Sequence, residues 1–106
     1  MFADPTIYLA TDFFWFPDVY ICRLVSTTNG TIFDKQDDTE INTSVPAGSY
    51  LDLEMQVNPN GGGFIIDIED EHLGESTKTI FYQDEGTYAN FSWEAVADHH
   101  YYINIR

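Results

Sequence analysis

From Tyr50 to Val57 the chain alternates with a period of two. Leu51, Leu53, Met55 and Val57 fall on one side of an extended backbone, and Asp52, Glu54 and Gln56 on the other. Successive side chains of a strand point to opposite faces, so this segment predicts a half-buried β-strand. The same rhythm returns at Phe64–Glu69, where Phe64, Ile66 and Ile68 oppose Asp67 and Glu69. It returns at Thr87–Ala95, with Ala89, Phe91, Trp93 and Ala95 inward, and at the end, with Tyr101, Ile103 and Ile105 inward. Thr6–Leu9, Thr31–Phe33 and Thr77–Gln83 read as further strands. Val19–Val25 is apolar in both phases and predicts a strand covered on both faces. No segment sustains a 3.6-residue period, which excludes a long amphipathic helix.

Turn chemistry separates these segments. Asn58-Pro59-Asn60-Gly61-Gly62-Gly63 supplies positive φ and interrupts pairing, and Asp84-Glu85-Gly86 reads as the next turn. Asp34 to Glu40 reads as a charged loop, and Asp70 to Glu75 as a polar one. Seven to eight short strands with turns at this spacing predict an all-β fold: an antiparallel, jelly-roll-like β-sandwich forming one domain over residues 1–106. The Asn58–Gly63 turn predicts that Tyr50–Val57 and Phe64–Glu69 pair as an antiparallel hairpin. Asp52, Glu54, Asp67 and Glu69 would then share one sheet face, continued by Asp70 and Glu71.

Charge limits the partners. Eighteen Asp and Glu stand against four Lys and Arg, a formal net charge of -14. Direct nucleic-acid binding needs a basic footprint, so it is excluded, and anionic membranes are repelled. A basic protein surface is the expected partner. With 43% hydrophobic residues the chain is too apolar for disorder, which combines high charge with low hydrophobicity. The longest strongly apolar stretch, Phe13 to Phe16, is far shorter than the roughly 20 residues of a membrane-spanning helix. Asp4, Asp12 and Asp18 precede the first basic residue, Arg23, which is not the pattern of a signal peptide. Cys22 is the only cysteine, so no internal disulfide forms. Both features point to the cytoplasm.

Phe13-Phe14-Trp15-Phe16 is the most unusual local feature. On a strand, Phe13 and Trp15 would face one way and Phe14 and Phe16 the other. One reading is a partner-binding or self-association surface, since aromatics dominate interface hot spots. The other is a segment packed on both faces, or an aromatic plug closing one end of the sandwich.

Nothing nominates catalysis. Cys22 lies in an apolar strand without the positive charge that would activate a thiol. His72, His99 and His100 lack metal-ligand spacing and are expected as solvated loop residues. The clusters Asp34, Asp37, Asp38, Glu40 and Asp67, Glu69, Asp70, Glu71, Glu75 lack the EF-hand pattern. No enzyme activity, cofactor or metal is expected, and the acidic clusters read first as a solvated face.

Val45-Pro46-Ala47-Gly48-Ser49-Tyr50-Leu51-Asp52-Leu53, Gly63-Phe64-Ile65-Ile66-Asp67-Ile68 and the closing Phe91-Ser92-Trp93-Glu94-Ala95 and Tyr101-Tyr102-Ile103-Asn104-Ile105 carry a resemblance. Residues 45–106 resemble the GOLD-domain and bacterial pre-peptidase C-terminal types of β-sandwich. Asp98-His99-His100 replaces the glycine usual before the final tyrosine, and the paired cysteines of the membrane-anchored GOLD proteins are missing. The resemblance implies a sandwich used for protein or ligand binding without catalysis.

Three functions are compatible with these residues. The first is a non-enzymatic protein-binding module acting through the acidic residues Asp52, Glu54, Asp67, Glu69, Asp70 and Glu71 and the aromatic segment. The second is a small nucleic-acid-mimicking inhibitor, of the phage anti-defence type, that occupies a basic channel of a nuclease. The third is a lectin-like domain that binds carbohydrate and Ca²⁺.

Overall fold

In a computed structural model, residues 2–12, 16–72 and 74–106 are described, with only the backbone of Phe16. They form nine strands: β1 (Thr6–Thr11), β2 (Val19–Ser26), β3 (Gly30–Asp34), β4 (Glu40–Ser44), β5 (Tyr50–Val57), β6 (Phe64–His72), β7 (Lys78–Gly86), β8 (Tyr88–Glu94) and β9 (His99–Ile105). Two sheets result, a five-stranded one in the order β4-β1-β9-β6-β7 and a four-stranded one in the order β3-β2-β5-β8. The all-β sandwich expected from the alternation is the observed fold. Its pairing is antiparallel except between β1 and β9, which run parallel.

Between the sheets lies one continuous apolar cluster. The five-stranded sheet contributes Ile7, Leu9, Phe64, Ile66, Ile68, Tyr101, Ile103 and Ile105; the other contributes Cys22, Leu24, Phe33, Leu51, Leu53, Met55 and Trp93. These are the inward phases of the alternating segments. At about 25 cal/mol per Å² of apolar surface removed from water, their burial is the main force closing the sandwich. Along the open side between the edge strands β7 and β8, Phe81 stacks on Phe91 at 4.6 Å and Phe91 on Trp93 at 5.5 Å. This aromatic seam joins the two sheets where no backbone ladder does.

Three expectations are corrected. β5 and β6 do not pair as a hairpin, because they lie in opposite sheets. The Asn58–Gly63 connection forms a 3-10 turn at Pro59–Gly61, capped by the Asn58 side chain, and leaves it through Gly62 at φ +93°. It is an arch that carries the chain over the core. Alternation dictates that Leu53 and Ile66 must both be buried, and either arrangement buries them.

β2 is not covered on both faces. The register with β5 slips between Val19 and Ile21. This bulge puts Val19, Cys22, Leu24 and Ser26 inward and leaves Tyr20 and Arg23 exposed. One extra residue reverses the phase, so the apolar residues on either side of it share the same face.

The segment 70–72 is strand rather than loop: Glu71 pairs with His100 and His72 with His99. β4 likewise emerges from the end of the expected 34–40 loop and pairs with β1.

Candidate functional site: two unequal acidic faces

Splitting β5 from β6 splits the expected acidic face. Asp52 and Glu54 point outward from the four-stranded sheet. Asp67, Glu69 and Glu71 point outward from the five-stranded sheet, on the opposite side of the molecule. Asp70 is in the inward phase of β6 and belongs to neither face. Phe13, Phe14 and Trp15 lie outside the described residues, and the Phe16 backbone opens a 3-10 turn at Phe16–Asp18.

On the four-stranded sheet the carboxylates are engaged across the strands. Ser92 Oγ donates to Asp52 Oδ1 at 2.7 Å, and Asn90 Nδ2 donates to Asp52 Oδ2 at 3.4 Å. Glu54 accepts from Arg23 Nη2 on Oε1 at 3.2 Å and from the Tyr88 hydroxyl on Oε2 at 3.1 Å. Register sets these partners: Ser92 lies directly opposite Asp52 and Arg23 opposite Glu54, while Asn90 and Tyr88 reach Asp52 and Glu54 along the diagonal. Cross-strand pairs of this kind stabilise a sheet by a few tenths to about 1 kcal/mol each. The Tyr88 phenol is held above its usual pKa, first by its hydrogen bond to Glu54.

The five-stranded sheet is different. Its ladder places Tyr8 beside Tyr102 and Tyr102 beside Glu69, while Asn104 stands beside Asp67 and Asp67 beside Tyr82. All six side chains are in the outward phase. Tyr8, Asp67, Glu69, Tyr102, Ile103 and Asn104 line a pocket of about 150 Å³. The Tyr102 hydroxyl donates to Glu71 Oε2 at 3.1 Å, which raises the Tyr102 pKa; Glu40 does the same to Tyr8. Asp67 Oδ1 is shut off from solvent and has no hydrogen-bond partner among the described residues. Among those residues Arg23 pairs with Glu54, and the histidine–carboxylate contacts are His72–Glu75 and His99–Asp70. None reaches Asp67, Glu69 or Glu71.

The histidines are not solvated loop residues. His99 Nδ1 lies 2.7 Å from Asp70 Oδ1, with 20% and 11% of the two side chains exposed. The His99 ring stacks on His72 at 4.4 Å. His100 Nδ1 lies 2.6 Å from Thr6 Oγ1, on the strand beside it. Their partners come from β6 and β1, far away in sequence. Among the described residues, no group of three His, Cys, Asp or Glu is disposed to hold a metal ion.

The tyrosines beside the acids are the feature that sequence reasoning misses. Tyr8 and Tyr102 are 94 residues apart and meet only through the parallel β1–β9 pairing. The outward phase of the last strand (Tyr102, Asn104) is nonetheless visible in the alternation. No helix among the described residues is long and apolar enough to cross a membrane. Compared with protein-family models, curated proteins and solved structures, the chain shows no match to any of them.

Proposed function

We propose that this domain is a non-enzymatic binding module that captures a basic protein surface on the outer face of the five-stranded sheet. The observation that carries this reading is the inequality of the two faces. Asp52 and Glu54 already have neighbours for their oxygens. Asp67 keeps one oxygen unpartnered, and Glu69 and Glu71 have no cation against them among the described residues. Carboxylates among partly exposed tyrosines (Tyr82 is 54% exposed and Tyr102 40%) offer the charge and aromatic area that interfaces use. The resemblance of residues 45–106 to non-catalytic binding sandwiches supports the same reading.

A second reading, the nucleic-acid mimic, draws on overall shape. The body measures 48 × 27 × 18 Å and carries carboxylates on both broad faces. A duplex of that length carries roughly 28 phosphates at one charge per ~1.7 Å, so the chain's -14 is about half as dense.

One experiment separates the two. Binding of a fluorescent lysine- and arginine-rich peptide is followed by anisotropy for two isocharged variants, Glu69→Gln/Glu71→Gln and Asp52→Asn/Glu54→Gln. The binding-module reading expects the first to lose about tenfold in affinity and the second no more than about twofold. Equal losses would reject a dedicated face and favour the mimic.

A further inference from the structure

We infer that the pocket between Tyr8 and Tyr102 is the anchor of this surface, and that it takes the guanidinium of an arginine side chain. The inference rests on the binding-module reading for its biological sense, but its geometry stands alone.

The lining is selective by charge. Asp67 and Glu69 supply carboxylates, Asn104 supplies an amide, Tyr8 and Tyr102 supply aromatic walls, and no lysine or arginine among the described residues lines it. Arg106, the residue after β9, lines a separate pocket with Gly62, Gly63 and Glu85. An anion is therefore repelled and a cation drawn in.

The state of Asp67 raises the value of that cation. Asp67 lines the pocket, and its Oδ1 is shut off from solvent with no donor among the described residues. A half-desolvated carboxylate carries a penalty that a hydrogen-bonded charge offsets. The charge is delocalised over both oxygens, so a cation in the pocket offsets part of that penalty electrostatically, while Oδ1 itself gains no donor. Glu69 is two residues along the same strand and faces the same way, which presents a second acceptor to a ligand with several donors.

The aromatic walls select between cations. The Tyr102 hydroxyl is tied to Glu71. With that polar end engaged outside the pocket, the Tyr102 ring offers it apolar surface, and Tyr8 lines the other side. A guanidinium is planar, weakly hydrated and able to stack on an aromatic ring while its edge donates to carboxylates. An ammonium is a compact, strongly hydrated point charge and loses more water on entering a space of about 150 Å³.

The test is a titration of the ¹⁵N-labelled protein with Nα-acetyl-arginine methylamide, followed by amide shifts. The lysine and citrulline counterparts serve as the ammonium and the neutral isostere. Saturable shifts should centre on Tyr8, Asp67, Glu69 and Tyr102 to Asn104. The lysine probe should bind at least about fivefold more weakly, and citrulline should not saturate. D67N should abolish saturation, and D52N on the opposite face should leave it unchanged. E69Q, which should weaken binding severalfold, decides the matter if D67N does not fold. Equal binding of lysine and arginine overturns the guanidinium assignment. Shifts spread over both faces, or equal losses in D52N and D67N, overturn the pocket. Glu69 is common to both tests, but Asp67 is changed only here: loss of the arginine site with the peptide preference intact overturns only the pocket, and equal peptide losses beside D67N-sensitive arginine binding overturn only the face assignment.

Discussion

At the scale of single residues, Cys22 shows how little chemistry the core leaves open. Its thiol is 1% exposed on β2, beside Leu24 and opposite Met55. Burial, with a smaller push from Asp34 against a pull from Lys35, raises its pKa from 9.0 to about 12. A thiolate is therefore not formed at neutral pH, and the residue packs as a small hydrophobe. The raised value also ties stability to alkaline pH. The folded protein holds the thiol proton more tightly than the unfolded chain does. This stabilisation is complete below pH 9 and disappears as pH rises to about 12. At most about 4 kcal/mol is at stake, since each tenfold change in proton affinity corresponds to ~1.4 kcal/mol. Urea unfolding at pH 8, 9, 10 and 11 should show the unfolding free energy falling more steeply for the wild type than for Cys22→Ala. Tyr88 and Tyr102, also raised, add a slope common to both proteins. Parallel curves for the two proteins would show that Cys22 ionises no differently in the folded and unfolded states.

At the scale of elements, alternation makes burial legible and leaves pairing open. Leu51, Leu53, Met55 and Val57 are inward as the alternation requires, as are Phe64, Ile66, Ile68, Tyr101, Ile103 and Ile105. Whether β5 lies beside β6 or across the core from it has no counterpart in a period of two. The bulge at Tyr20 and the parallel β1–β9 register are illegible for the same reason: each is set by contacts distant in sequence. Hence the period assigns the acids of β5 and the outward acids of β6 to solvent correctly, while gathering them onto one face is wrong. The tyrosines that complete the pocket walls leave no local signal of their meeting.

The arch itself makes a prediction. A Cβ placed on Gly63 would lie 2.9–3.0 Å from the backbone of Glu85, where β7 ends opposite the start of β6. Backbone cannot give way as a flexible side chain does. Gly63→Ala should cost about 1–3 kcal/mol, the range of an overpacked core site. A Cβ on Gly61 would lie 2.6–2.7 Å from the Asp18 side chain, which can turn away as backbone cannot, so Gly61→Ala should cost less. Chemical denaturation of both variants measures the difference. A Gly63→Ala protein as stable as Gly61→Ala would mean that the β6–β7 end opens freely.

At the scale of the whole molecule, charge and topology act together. Placing β5 and β6 in opposite sheets distributes the acids over two faces with the apolar core between them. Packed sheets stand about 10 Å apart. That is close to the screening length at physiological salt and well inside the roughly 30 Å that prevails at 10 mM. The acids within and between the two faces should therefore repel one another strongly in dilute buffer and less at 150 mM. With -14 charges and only Arg23 paired to an acid among the lysines and arginines of the described residues, little internal compensation exists. The melting temperature should rise by several degrees between about 10 and 150 mM NaCl, a gain on the order of 1 kcal/mol for a domain of this size. Potassium and choline chlorides at equal ionic strength should give the same rise, because screening depends on valence and concentration rather than on the ion. Glu69→Gln/Glu71→Gln removes two charges that no cation among the described residues offsets, so it should start from a higher melting temperature in dilute buffer and gain less from salt. Were the wild-type melting temperature flat across this range, self-repulsion would be negligible. The acids of the open face would then cost the fold nothing to keep.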